Sequence, residues 1–554
     1  MNAASHTSIL PFRIRIGVTG HRSLSNPQYI INSLRDILNI AIPTLFDVDI
    51  AYKNFITPFV FTVSSSLAEG ADRLVAKEIL LKPDSDLEVV LPMHKDEYRK
   101  HFEAENSELE FYSLYNRASE VKVFSKNVKW DELITEDIRR EARRKAYEES
   151  GQYVVDHSDV LIAIWDGKPS RGRGGTAEIV QYARNKKCSL IIIPSDNPSA
   201  YTIERNRLLN SAAYSRLEYF NTYSLRDAVY AAYNKNEFEK KFDTPEGAKI
   251  PENAKKLIQE TLIPFYTRSS FIAKQNKKEY FNAGTWTYIL SPLAIAAVVL
   301  GILAPSLLLP TCFLELIILL AIYILIYTAN KKKVHKKWIE ERFLTERLRF
   351  AIISVACQVK PSPMSLSPLI SSTLGSFEWV IRAFNEILRK IEVPSDKSQE
   401  KLNQYVDFIR IRLVREQITY HESNSRVRKL KSRRLEMIGL NVFLAALLMA
   451  GMHFYASLPG SEFIKNWIEY PVLFLVIVLP SIGAAIGGHR THREYSRLAE
   501  MNNTMKLLLR VVDNNLNAVE TWKDFEKIVH DIEEIMLREN QDWMNLMRFA
   551  KIDM

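Results

Sequence analysis

Residues 159–182 read DVLIAIWDGKPSRGRGGTAEIVQY, and the order of that stretch decides how the first part of the chain folds. Val160–Ile164 is a short, β-branched apolar run bounded by turn residues, the pattern of a strand buried on both faces. Gly167–Gly175 is a turn rich in Gly and Arg, and a helical pattern starts at Thr176. Glycines at 172, 174 and 175 let the backbone approach a ligand closely. The helix that follows points its free N–H groups and positive dipole end at the same place. That arrangement suits a phosphate. A turn that merely needs flexible residues fits the stretch equally well, so the choice rests on the rest of the chain.

Working outward, strands and helices alternate. Arg13–Thr19 (RIRIGVT) is a strand ending in Gly20-His21-Arg22, and Gln28–Phe46 carries Leu and Ile at helical spacing. Phe59–Ser64 is a second strand, Ser64–Gly70 a turn and Ala71–Leu81 a helix. Leu87–Pro92 and Val121–Phe124 read as strands, Ile138–Asp156 as a charged helix and Ser189–Pro194 as a further strand. This alternation predicts an α/β, doubly wound (Rossmann-like) domain with a parallel sheet. Ligands in such sheets sit beyond the carboxyl ends of the strands. Three turns are expected to meet there: Gly20–Arg22, Ser64–Asp72 and Arg171–Glu178.

Those turns carry a resemblance. GVTGHR, SSSLAEGADR and WDGKPSRGRGGTAE, in that order, resemble the SLOG superfamily, Rossmann-like domains related to LOG phosphoribohydrolases and DprA; the resemblance covers about residues 12–235. It implies a pocket for a nucleotide or nucleotide derivative, cleaved by some members and only sensed by others. Carried over, Gly20, His21 and Arg22 line the pocket floor, and Ser64, Ser66 and Gly70 offer hydroxyl and N–H groups to ribose or phosphate. Asp72 fixes the turn, while Gly174, Gly175 and Thr176 hold a phosphate with help from Arg171 or Arg173. Plainer readings stand beside these: a solvated strand end for His21 and Arg22, a helix cap for the serines, surface charge for Asp72 and the arginines. The hydrolases resemble one another in a PGGxGTxxE turn whose glutamate assists cleavage, whereas this chain reads RGGTAEIV. Glu178 lies two residues after Thr176, so it points about 100° away from the family's catalytic position. A sensor is therefore expected, with Glu178 as the carboxylate if the domain is instead an enzyme.

At 554 residues, several domains are expected. The net charge of +9 would suit nucleic acid, but the basic runs Lys331–Lys333, Arg426–Arg434 and Arg490–Arg493 flank long apolar segments. That is how the cytoplasmic ends of membrane spans are marked, so a lipid bilayer and no nucleic acid is expected. Cys188, Cys312 and Cys357 have neither disulfide nor metal spacing, and no metal or cofactor is expected. The N-terminus lacks a secretory apolar region.

After a Pro-containing linker (236–254) come four apolar spans, about Gly284–Ala304, Leu307–Ala329, Met437–Leu458 and Tyr470–Gly488. They form two hairpins whose turns are nearly free of Lys and Arg while the opposite ends are basic, which puts both termini in the cytoplasm, as a multi-pass protein of the inner membrane. Phe265–Lys278 aligns with Thr419–Ser432 at an offset of about 154, which also superposes Pro305 on Pro459 and Glu315 on Glu469. At the same offset Phe343–Phe350 meets Arg497–Thr504. Two units follow, 255–395 and 396–554, with amphipathic tail helices at Trp379–Ile391, Leu402–Gln417 and Trp522–Leu546. RIRLVREQITYHESNSRVRK and the hairpin after it resemble the SLATT domain, a two-transmembrane module that accompanies SLOG domains in prokaryotic conflict systems.

Within the spans, Glu315 is either interfacial or pore-lining, and Gly483 with Gly487 serves either packing inside the hairpin or contact between copies. The resemblances imply an all-α membrane half joined to a sensor: a messenger-gated effector of an antiphage, abortive-infection type, forming a pore or disrupting the membrane. They further imply a homo-oligomer and a signal-producing enzyme encoded nearby. A membrane-anchored nucleotide N-glycosidase and a constitutive channel or transporter are the alternatives.

Overall fold

The computed structural model describes residues 9–46, 55–103, 106–126, 128, 130, 135–169, 174–196, 200–204, 211–223, 227–364, 377–393, 397–458 and 462–548. The chain divides into two compact units. The first is Met1–Ser224 with Ser365–Glu386; the second is Leu225–Met364 with Ile387–Met554.

The first unit is a seven-stranded sheet in the order β4-β3-β2-β1-β5-β6-β7. Its strands are β1 (Phe12–Gly20), β2 (Phe59–Ser65), β3 (Asp86–Leu91), β4 (Glu120–Val123), β5 (Val160–Trp165), β6 (Ser189–Pro194) and β7 (Thr202–Glu204). All pairs are parallel except β6–β7. The helices α1 (Pro27–Asp36), α2 (Ala71–Ile79), α3 (Ser107–Tyr115), α4 (Glu136–Asp156), α5 (Thr176–Asn185) and α6 (Ser211–Thr222) supply the crossovers and cover. Central strands of such a sheet are covered on both faces, which is why β5 reads as an unbroken apolar run. Strand order reverses between β1 and β5, so a crevice opens where these two strands end. The doubly wound expectation holds; the short antiparallel β7 adds an edge strand that the sequence does not announce.

At the opposite, amino-terminal edge of the sheet lies the helix Glu378–Arg389, which sequence reading places among the tail helices of the first two-span unit. Its Trp379 is fully buried against Phe220 and under Arg216. Arg382 reaches Asp159 at 3.0 Å, and Arg13 Nε reaches Glu386 at 2.7 Å. Although burial works against it, the Arg382 guanidinium holds the Asp159 carboxyl below the ordinary range.

The second unit is all helical. Its α7 (Ile263–Leu303), α8 (Leu308–Lys331) and α9 (Val334–Ala356) are followed by α10 (Glu416–Ala456), α11 (Glu462–His492), α12 (Tyr495–Asn515) and α13 (Trp522–Arg548). Four of these helices are long and apolar enough to cross a membrane. Their large apolar side chains, among them Trp286, Leu309, Phe313, Phe443 and Leu447, face outward, as lipid contact requires.

Helices α7 and α10 are both 41 residues long and start 153 residues apart. The helix after each second span begins behind a left-handed residue, Lys333 (φ 53) or Glu494 (φ 48). These two residues are 161 apart, so the second copy carries about seven extra residues, two helical turns, in its second span. The offset of 154 therefore fails beyond that span: Phe343 corresponds to Thr504, and the alignment of Phe343–Phe350 with Arg497–Thr504 is corrected accordingly.

Candidate functional site

The crevice at the β1/β5 reversal is a cavity of about 750 Å³, lined by the ends of β1 and β5, the turn before α2, the middle of α4 and the start of α5. This is ample for a small-molecule ligand. Of the expected residues, Gly20, His21, Arg22, Ser66, Asp72, Gly174, Gly175 and Thr176 line it. Arg171 and Arg173 lie outside the described residues.

The turn between β2 and α2 is built for this place. Gly70 has φ +78, and a Cβ there would meet the Arg22 carbonyl oxygen at 2.0 Å, so the position demands glycine. Leu67, buried, is also left-handed at φ 53, and its carbonyl accepts from the Arg73 side chain at 2.9 Å. Arg73 is buried and continues to Ser107 of α3, so the turn is fixed from behind. Asp72 accepts from the Ala68 amide at 3.3 Å and the Ser65 hydroxyl at 3.2 Å. Burial pushes the Asp72 carboxyl up to about 6; the Ala68 and Ser66 amides, the Ser65 hydroxyl and the charge of Arg22 pull the other way. Ser64 takes no part in the cavity: it is buried and donates to Glu88, which also accepts from Tyr153. Ser65, one residue on, is the serine that orders the turn.

Facing this turn, Arg22 donates to the His101 carbonyl at 3.2 Å and to the Tyr147 hydroxyl at 3.4 Å. Tyr147 also bonds to His101 Nδ1 at 3.1 Å. Nε2 of His21 lies 3.1 Å from both the carboxylate and the backbone nitrogen of Asp166. Lys168 bridges Asp166 at 3.4 Å and Asp196 at 3.1 Å. The described lining thus sets Arg22, Lys168 and His21 against Asp72, Asp166 and Asp196. Tyr98, only 1 % exposed, lines the cavity with a hydroxyl that has no hydrogen-bond partner among the described residues. The sequence reading missed both tyrosines, which sit on helices distant from the three turns.

At the third wall Gly174 has φ +82, and a Cβ would press on Tyr147 at 2.8 Å. Gly175 caps α5, accepting from the Glu178 and Ile179 amides at 3.0 and 3.2 Å. Thr176 and Ala177 belong to the first turn, whose N–H groups have no partner inside the helix, and both face the cavity. Glu178 is exposed and turned back to accept from the Gly174 amide, outside the cavity lining. The carboxylate closes the glycine turn.

In the second unit, Glu315 is half-buried in α8. Gly483 and Gly487 line an apolar groove of about 560 Å³ between α10 and α11. A Cβ on Gly483 would find Val442 only at 3.8 Å, and one on Gly487 would meet nothing within 4 Å. Among the described residues no three His, Cys, Asp or Glu are placed to hold a metal ion.

Residues 408–543, about a quarter of the chain, match the family model described as SMODS and SLOG-associating 2TM effector domain 1, SLATT_1. The match spans α10, the hairpin, α11, α12 and most of α13. No curated protein matches the chain.

Proposed function

We propose that the chain is a ligand-gated membrane effector, in which a SLOG-like sensor binds a nucleotide-derived messenger and two SLATT-like units permeabilise the membrane. The observation that carries this reading is one polypeptide holding both parts. A cavity lies beside a helix N-terminus at a strand-order reversal, and the later region matches a two-transmembrane effector domain. The repeat of two 41-residue helices extends the effector reading to the first hairpin.

The lining suits a ligand with more than a phosphate. First-turn amides of α5 and Arg22 receive the anion, while the Tyr98 hydroxyl, and Asp72 through the acceptor capacity its turn bonds leave over, meet sugar or base hydroxyl and amino groups. Sensing is favoured over N-glycoside cleavage because Glu178, the carboxylate nearest the glycine turn, is engaged by Gly174. The basic ends of the spans support an inner-membrane protein with both termini in the cytoplasm, where nucleotides are. Clustering into a homo-oligomer would supply the two states that a messenger must distinguish, and an enzyme encoded nearby would make the signal.

The test uses the full chain in nanodiscs, incubated with a nucleotide extract and read by mass spectrometry in both retained and released fractions. An intact nucleotide derivative should be retained, and lost in Gly175→Trp. The recovered compound should then release dye from liposomes carrying the wild-type protein. Free base and sugar phosphate in the released fraction would overturn the sensor in favour of the glycosidase.

A further inference from the structure

Four cations gather at the basic ends of the spans. Lys277 is on α7, Arg342 on α9, Arg428 on α10, and Arg493 joins α11 to α12. Arg493 lies over Phe281, one helical turn after Lys277, and Phe281 packs on Trp338, one turn before Arg342; Lys277 feels the charges of Arg342, Arg428 and Arg493. None of the four has an ion pair among the described residues. Glu539 of α13 feels Arg342 and Arg428 but makes no ion pair with either among the described residues.

Their positions are built. Arg342 stacks on the Trp543 ring at 3.7 Å, and Arg493 lies over Phe281 at 4.2 Å while donating to Thr285 at 2.9 Å. Arg428 donates to the Leu498 carbonyl at 3.4 Å. These contacts engage faces and single N–H groups, and leave most donors unspent. The Nε of Arg493 is buried without a partner. Flexible surface cations would splay apart in water; here the three arginines are each fixed by an aromatic or backbone contact, and the exposed Lys277 reaches toward them from α7. The repeat does not account for the arrangement, since the counterpart of Arg342 in the second copy is Asn503. Lys277 lies seven residues before Gly284, about 10 Å along the helix from the apolar span, a depth that long side chains bridge to the headgroup layer.

We propose that Lys277, Arg342, Arg428 and Arg493 form a binding site for a phosphate-bearing anion. Guanidinium forks supply paired donors to phosphate oxygens and the lysine a point charge. The phosphate comes either from the headgroup of an anionic phospholipid or from solution. Because the four groups come from both copies of the repeat, the bound anion ties the first hairpin to the second.

The test uses the full-length protein in detergent. Native mass spectrometry measures binding of phosphatidylglycerol and phosphatidylcholine, and thermal unfolding is followed with inorganic phosphate. With a lipid source, Lys277→Gln with Arg428→Gln weakens phosphatidylglycerol binding about tenfold or more, while Arg433→Gln with Arg434→Gln, exposed on the same helix, leaves it near wild type. With a soluble source, inorganic phosphate raises the melting temperature of the wild type and not of the Lys277/Arg428 variant. The charge-keeping pair Lys277→Arg with Arg428→Lys retains either response, which separates loss of charge from loss of fold. The site is overturned if the Lys277/Arg428 variant matches the wild type with both probes, or if the Arg433/Arg434 variant loses as much. No nucleotide enters these measurements, so the sensor reading can fail without touching them.

Discussion

The two edges of the sheet are opposites. At the amino-terminal edge, Arg13, Asp159, Arg382 and Glu386 satisfy one another in a half-buried ion-pair network. At the carboxyl edge, the cavity holds a buried tyrosine hydroxyl without a partner, an aspartate burdened by burial, and first-turn amides left open. The same strands end in both places, so the sheet itself does not create the difference. A saturated edge has nothing left to bind; an unsaturated one persists only if a ligand or water completes it.

The comparison can be broken most forcefully at the saturated edge. Arg382→Ala leaves Asp159 with its Arg382 partner removed, and removing one partner of a buried pair costs about 3–5 kcal/mol. The apparent melting temperature of the full chain should fall sharply, and an unchanged value would mean that this edge is not what holds the Glu378–Arg389 helix. The next largest effect is at Asp72. Its folded pKa of about 6 lies above the ordinary carboxylate value, so the folded state holds the proton more tightly and stability falls as pH rises. The penalty is absent below about pH 4 and complete above about pH 6, and amounts to roughly 3 kcal/mol. The Asp72→Asn chain should therefore lose this slope in a melting-temperature series across pH 4–7.5, and a slope that survives would locate the titration elsewhere.

A smaller effect is expected at Tyr98. Tyr98→Phe removes a hydroxyl that nothing among the described residues satisfies, so stability without ligand should hold or rise slightly. Affinity for the retained nucleotide derivative should drop by about 1–2 kcal/mol, some 5–30-fold. Equal affinity in calorimetry would show that the hydroxyl does not meet the ligand. Smallest of all is Glu178→Gln, which keeps an acceptor for the Gly174 amide and removes only a charge at a helix start. A loss of about 0.3–1 kcal/mol is expected in thermal unfolding. A stability loss several times larger would mean that the carboxylate does more than close the turn.

Much of this fold was legible from residue patterns. The β-branched runs at Val160 and Ser189 and the glycine turns placed the strands, and strand–helix alternation brought the three turns to one edge. The spans were legible because an apolar run of about twenty residues between basic ends matches the thickness of a bilayer's hydrocarbon core. What stayed hidden depends on partners remote in sequence. Tyr98 and Tyr147 reach the cavity from helices with no ligand-like motif, and Ser64 differs from Ser65 only by which face of β2 it occupies. The amphipathic pattern at Trp379–Ile391 announced a buried face without naming the surface that buries it. The seven-residue lengthening of the second span was invisible because apolar residues align with one another at almost any offset.

Since Ser365–Glu386 belongs to the sheet's unit, the sheet domain is not a bead threaded ahead of the helical half. The polypeptide leaves it, builds the first hairpin, comes back to close it, and leaves again. One protease cut between the sheet's two segments will not set it loose, and a gene truncated there encodes a sheet lacking the helix that carries Trp379 and Arg382. The two units are thus interleaved along the chain, each in pieces that only the other makes continuous.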